Sequence, residues 1–213
     1  MNLVTLSSHT LDLDLLPEAP TVLDVGCRWF DFAVEIVSHR PLANVIALDP
    51  SPDVAAAFET TKQPTAVKFR SAALVGSGYA KQFLAHFSTG EGDFITDQPR
   101  HMPGWDIQPV HFLVECMTIG ELMLAENVKR FDAVKLDCEG SEFGILENWP
   151  GPIAAQISVE FHDWCDPEHR SEIYYDFLWK KLPWYRVVRH DLSKQGTGVG
   201  HWDTLLVLRS LCD

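Results

Sequence analysis

Short apolar runs of four to seven residues recur along the chain, at Thr21–Val25, Val45–Leu48, Val67–Arg70, Ala133–Leu136, Ala154–Glu160, Tyr185–His190 and Thr204–Leu208. Between them, apolar residues fall at helical spacing in Phe32–His39, Asp53–Thr61, Ile119–Asn127, Ser141–Asn148 and Glu168–Lys181, the second of these opened by a Ser51-Pro52 pair that suits a helix start. Strand and helix patterns that alternate in this way predict a mostly parallel sheet with helices on both faces. The last two runs have no helix between them. Their connection, Asp191–Asp203, carries Gly196, Gly198 and Gly200, so an antiparallel hairpin is expected there.

One segment breaks the rhythm. Residues 76–109 are rich in Gly, Pro, His and aromatics and show no clear periodicity, which predicts a long loop insertion or lid. Nothing else divides the chain, and 213 residues suit one α/β domain, 1–213, with a core over about 20–208. Composition is ordinary for a globular protein, but the formal charge of −13 changes the picture of partners. A field of that sign repels phosphate backbones and anionic lipid, so neither nucleic acid nor a membrane is expected. Met1–Leu16 lacks the basic start and apolar run of a signal peptide, and a cytoplasmic location is expected. The five cysteines are scattered and never form a C-x-x-C pair, which predicts free thiols.

Candidate chemistry begins where the first run ends, in Thr-Val-Leu-Asp-Val-Gly-Cys. The carboxyl edge of an open α/β sheet is where ligands bind. Gly26 would let a ligand approach the backbone, and Asp24 could accept from an ammonium group. A second acid, Asp49, ends the next strand, where a carboxylate can bind both hydroxyls of a ribose. Two acids favour a nucleoside ligand without pyrophosphate, and S-adenosylmethionine has a ribose, an ammonium and no phosphate. Each acid taken alone could equally be a turn cap. A nicotinamide dinucleotide is the rival ligand, but G-x-G-x-x-G is missing from the first loop.

The segment from Phe131 to Glu147 gathers Asp137, Glu139 and Glu142 around Gly140 at a strand end. Three carboxylates that close repel one another unless cations or hydrogen-bond donors offset the cost. Its K-L-D-C-E-G-S-E-F resembles the K-I-D-V-E-G-x-E-x signature of the FkbM-type methyltransferases, a branch of the class I S-adenosylmethionine-dependent enzymes. The resemblance extends to Val-Leu-Asp-Val-Gly, Val-Ile-Ala-Leu-Asp-Pro-Ser-Pro, Ser-Ala-Ala-Leu at 71–74 and Ile-Ser-Val-Glu-Phe-His at 157–162. It implies a Rossmann-like sheet of seven strands, the last one antiparallel, and methyl transfer to a hydroxyl oxygen. Carried over by position, Asp24 and Gly26 would meet the methionine end of the cofactor, Asp49 the ribose, Ser71 and Ala72 the adenine, and Asp137 and Glu139 the transferred methyl. Where the family has a further glycine, this chain has Cys27-Arg28-Trp29-Phe30. Bulk there is expected to crowd the cofactor, which keeps open a non-catalytic binding protein on the same fold.

In Val-Glu-Phe-His-Asp-Trp, alternation puts Glu160 and His162 on one side, next to Asp137. Catechol-type O-methyltransferases hold magnesium at these strand ends, and a similar role is expected for Asp137 and Glu160, with His162 as the base. The plainer alternatives are a His162–Asp163 pair and a Glu160 helix cap. A zinc set of His162, Cys165 and His169 offers only one soft ligand. Trp105 and Trp164 are the expected substrate contacts, whereas His201-Trp202-Asp203 could shape the substrate mouth or pack in the core. The expected acceptor is a small molecule, a sugar, polyketide or other natural product, and the chain is compatible with a homo-oligomer.

Overall fold

The computed structural model describes residues 1–76, 81–88, 92–99, 101, 106–162, 174–194 and 200–212. In chain order the strands are β1 (Leu3–Leu6), β2 (His9–Asp12), β3 (Thr21–Val25), β4 (Asn44–Leu48), β5 (Val67–Arg70), β6 (Ala73–Leu74), β7 (Lys81–His86), β8 (Phe94–Thr96), β9 (Val110–Met117), β10 (Phe131–Leu136), β11 (Ala154–His162), β12 (Tyr185–Lys194) and β13 (Gly200–Leu208). The helices are α1 (Asp31–His39), α2 (Pro52–Thr60), α3 (Ile119–Ala125), α4 (Glu142–Glu147) and α5 (Tyr174–Lys181). Every predicted strand is present. Together they make a seven-stranded sheet in the order β12-β13-β11-β10-β3-β4-β5, parallel except for β13, which runs antiparallel to both neighbours.

Alternate residues of the central strands feed two separate cores. Leu23, Val25, Ile46 and Leu48 join Phe143, Ile145 and Leu178 on one face, whereas Val22, Val45 and Ala47 join Phe32, Ile36 and Val54 on the other. A sheet buried on both faces needs apolar residues at successive positions, and these strands have them. The chain leaves β3 for β4 and β5 on one side, then returns to place β10 and β11 on the other. Four loops therefore line up along one edge in the order Asp137, Gly26, Asp49, Ser71-Ala72, across three strand spacings or roughly 14 Å.

Two regions depart from expectation. The N-terminus, placed outside the core by the sequence reading, is a hairpin whose Ser7-Ser8 turn has positive φ at both residues, the geometry of a primed two-residue turn. All four residues of β2 are buried, and Gln156 ties the hairpin to β11 by accepting from the Asp12 N–H (2.8 Å) and donating to the Asp12 carbonyl (3.0 Å). The second departure is the expected loop at 76–109. Its described residues contain β7 and β8, which with β6 and β9 form a four-stranded sheet in the order β6-β9-β7-β8. The expected helix start at Glu168, the expected substrate contacts Trp105 and Trp164, and Cys165 and His169 of the zinc set lie outside the described residues. Among the described residues no helix is long and apolar enough to cross a membrane.

Candidate active site

The first loop is built from backbone. Gly26 sits at φ +73°, and a Cβ there would lie 1.7 Å from the Asp137 carbonyl oxygen, so no other residue fits without moving β10. The Gly26 and Cys27 N–H groups both donate to the Leu48 carbonyl, at 2.9 and 3.2 Å. Arg28 and Phe30 occupy left-handed backbone (φ 40° and 66°), a conformation that disfavours residues with a Cβ. Their neighbours hold them there. The Arg28 N–H donates to Asp49 Oδ2 at 3.0 Å, and the fully buried Phe30 ring packs against Phe58 and Phe69 with centroids 5.4 and 5.5 Å away. Phe30 thus turns into the core, which corrects the expectation for that residue, whereas Trp29, 52% exposed, lines the cavity together with Arg28 and keeps bulk on the loop's ligand side.

Charge builds the other end. Lys135 is buried inside β10, directly across from Asp24 in the register of β10 on β3. Its Nζ donates to the Gly26 carbonyl at 2.5 Å and stands 3.3 Å from Asp24 Oδ1 and 3.6 Å from Asp137 Oδ2. Both carboxylate oxygens of Asp24 lack a directed hydrogen bond despite that ion pair, and burial pushes its carboxyl up. Burial would do the same to Asp137, but Lys135, His9 and His162 outweigh it and hold that carboxyl well below the usual range. His9 arrives from the N-terminal hairpin, its Nε2 3.4 Å from Asp137 Oδ2 and its Nδ1 3.5 Å from Ser158 Oγ.

His162 lies within β11 among four carboxylates. Its Nδ1 is 3.1 Å from Glu142 Oε1, and its Nε2 is 3.5 Å from both Glu139 and Glu160 and 3.9 Å from Asp137. Burial alone would strip its proton, but the acids, Glu142 first, push its pKa up to about 12. The acids thus favour the protonated ring, which works against the base role expected for His162. The buried Glu142 also accepts from the Cys138 and Gly140 N–H groups at 2.9 and 3.0 Å, which fixes the loop after β10. That loop holds Glu139 at φ 50°, and burial, before any other cause, raises its carboxyl to about 7.

A cavity of about 340 Å³, within the range of small-molecule sites, opens over this edge. Of the predicted residues, Asp137, Glu139, Gly26, Asp49 and Ala72 line it. Asp24 does not: it is fully buried against Lys135, away from an ammonium ligand. Ser71 is exposed and also off the wall. Asp49 presents a carboxylate oriented by two backbone donors, Arg28 N–H and Ser51 N–H (2.9 Å). Glu160 is at the His162 cluster, and two sets there have ligand atoms within 4.8 Å of one another: His9, Asp137 and Glu160, and Asp137, Glu139 and His162. Each set contains a histidine already paired with a carboxylate. Trp202 packs against the core.

Sequence reasoning missed Lys135, His9, His86 and Asp93. A lysine inside an apolar strand demands a buried acid, and Asp24 at the matching position of the neighbouring strand was the available signal. His86 ends β7 of the second sheet and Asp93 directly precedes its β8, strands that went unseen.

Residues 23–182 match the methyltransferase FkbM domain family. The chain belongs to that family. The FkbM match spans β3 to α5 and so takes in the cavity edge, but leaves out β1 and β2, which carry His9. Among solved structures the fold resembles the Methanococcus jannaschii fibrillarin pre-rRNA processing protein (TM-score 0.53, 9% identity, 91% of this chain and 68% of that one). It also resembles a putative S-adenosylmethionine-dependent methyltransferase from Listeria monocytogenes (TM-score 0.50, 10% identity, 92% and 95%). The Rossmann-like class I fold expected for an FkbM member is therefore present. No curated protein matches the chain by sequence.

Proposed function

We propose that this FkbM-family chain transfers a methyl group from S-adenosylmethionine to a hydroxyl oxygen of a small acceptor, such as a sugar, polyketide or other natural product. The observation that carries the reading is the order of groups along the cavity: Glu139 and Asp137, then Gly26, then Asp49, then Ala72. When bound, the donor supplies a sulfonium methyl to an oxygen nucleophile. The chain's residues supply position, charge and proton removal.

Asp49 accepts from the ribose hydroxyls with the lone pairs left after Arg28 and Ser51, while Gly26 allows close backbone approach and Ala72 gives the purine an apolar wall. Asp137 stays ionised beside Lys135 and His9 and favours a cation in front of it. Glu139 takes the acceptor's proton, because a carboxyl raised to about 7 is matched to that task near neutral pH. Most of the acceleration comes from holding donor and hydroxyl in line. The net charge of −13 favours a small acceptor over nucleic acid. Magnesium at Asp137 and Glu160 is a narrower form of the same reading.

Calorimetric titration with S-adenosylmethionine and S-adenosylhomocysteine, with and without magnesium, tests it. Binding is expected, and Asp49→Ala should weaken it by roughly tenfold or more, since hydrogen bonds to a charged acceptor are lost. No binding in either condition would sink the reading and leave a family member that does not use this donor.

A further inference from the structure

A second cavity, of about 580 Å³, opens between α5 and the β12–β13 hairpin, and its volume is again that of a small-molecule site. It shares no residue with the active-site cavity. Its floor includes Leu206, which pairs with Ile157 in the register of β13 on β11, roughly 16 Å along the strand from His162. The rest of the floor is Leu178, Leu182 and the half-buried Val187, all belonging to the core on this face of the sheet. β12 is the outermost strand, so among the described residues no further element closes the core on this side.

The rim of this apolar floor is cationic. Arg186 and Arg209 both line it, and both are exposed. The Nε of Arg209 donates to the Pro183 carbonyl at 2.9 Å, which holds its guanidinium over the Trp179 ring, 5.0 Å from the centroid. The terminal N–H₂ groups are left for another acceptor. Asp176, the carboxylate on the wall, is already matched by Lys180 at 2.5 Å. Among the described residues neither Arg186 nor Arg209 has a carboxylate within ion-pair reach, although the chain as a whole carries a net charge of −13.

We infer that this cavity is a second ligand site, separate from the proposed transfer site, which takes an amphipathic carboxylate. An aliphatic acyl body covers the leucine and valine floor against the Trp179 wall, and the carboxylate sits between Arg186 and Arg209. Guanidinium groups match a carboxylate in both charge and planar geometry. A cationic head on the same body would be repelled, and a neutral one would gain little from either arginine.

Titration of the native chain with octanoate, octanol and octylamine, followed by tryptophan emission, tests this without any methyl donor. Octanoate should bind about tenfold more tightly than octanol, because hydrogen bonds between charged groups are the stronger ones, and octylammonium should bind most weakly. The double variant Arg186→Gln with Arg209→Gln should bring octanoate down to the octanol value and leave octanol unchanged. Arg186→Gln alone removes no ion pair among the described residues and should weaken octanoate about threefold, which keeps the test alive if the double variant fails to fold. Trp179→Phe keeps a ring on the wall and should erase most of the emission change. No emission change with octanoate, equal affinity for octanoate and octanol, a preference that survives in the arginine variants, or an emission change that persists without Trp179 would each overturn the inference and leave the donor site standing.

Discussion

The two ends of the cavity are made in different ways. At the Gly26–Asp49 end the groups facing the cavity are set by main chain: two N–H donors on Leu48, two on Asp49, and left-handed backbone at Arg28 and Phe30. At the Asp137 end the groups are set by one another, with Lys135 between two acids and His162 among four. A backbone-built end tolerates side-chain exchange as long as the chain can still take its path, which is how Arg28 and Phe30, residues with a Cβ, stand in left-handed backbone there. A charge-built end does not, because removing one partner leaves another buried and uncompensated.

Gly26→Ala would break this contrast most severely. It adds an atom 1.7 Å from the Asp137 carbonyl at positive φ, joining the two ends by a clash, and should cost about 4 kcal/mol or more in thermal or urea unfolding. Lys135→Met comes next, at about 3–5 kcal/mol, because Asp24 and Asp137 both lose their buried cation. Adding Asp24→Asn should recover part of that loss, and strict additivity of the two changes would show that the pair is not coupled. The smallest effect is expected at Glu139→Gln and is read through pH. The raised Glu139 carboxyl binds a proton better in the folded chain than in the unfolded one, so its stabilising contribution is present below 4.5 and lost as pH rises through about 7. The native chain should therefore lose roughly 1–2 kcal/mol more than the variant between pH 4.5 and 8, allowing for solvent at the carboxylate. Parallel melting curves across that range would count against a buried Glu139.

The central sheet was legible in the sequence because its strands are buried on both faces and read as continuous apolar runs. The second sheet was not, since β9 leaves Val110, Phe112 and Leu113 exposed and mixes them with His111 and Glu115, so neither a continuous run nor an alternation survives. β2 was hidden for the opposite reason: His9, Thr10 and Asp12 are polar yet buried, with His9 reaching Asp137 and the Asp12 backbone reaching Gln156 far away in the chain, while Thr10 meets Thr5 across the hairpin. Within the site, Asp49, Gly26, Asp137 and Glu139 were found through their places at strand ends. The surroundings of Asp24, buried against Lys135, and of His162, held among four carboxylates, could not be read from the sequence, because a side chain's charge and exposure depend on groups that converge on it in three dimensions. His86, Asp93 and Asp53 line the cavity from separate elements, and no local spacing marks them as a set.

The N-terminal hairpin has a consequence for where the folding unit ends. The segment recognisable as a methyltransferase, residues 23–182, is not self-sufficient. Excised at those boundaries, it would bare the core surface now covered by Leu6, Leu11, Leu13 and Leu16, lose the β13 strand that pairs with β11, and leave Asp137 without His9. The smallest autonomous piece of this chain is thus larger than its evolutionary signature, and a fragment cut to the signature would lack a wall of its own charged centre.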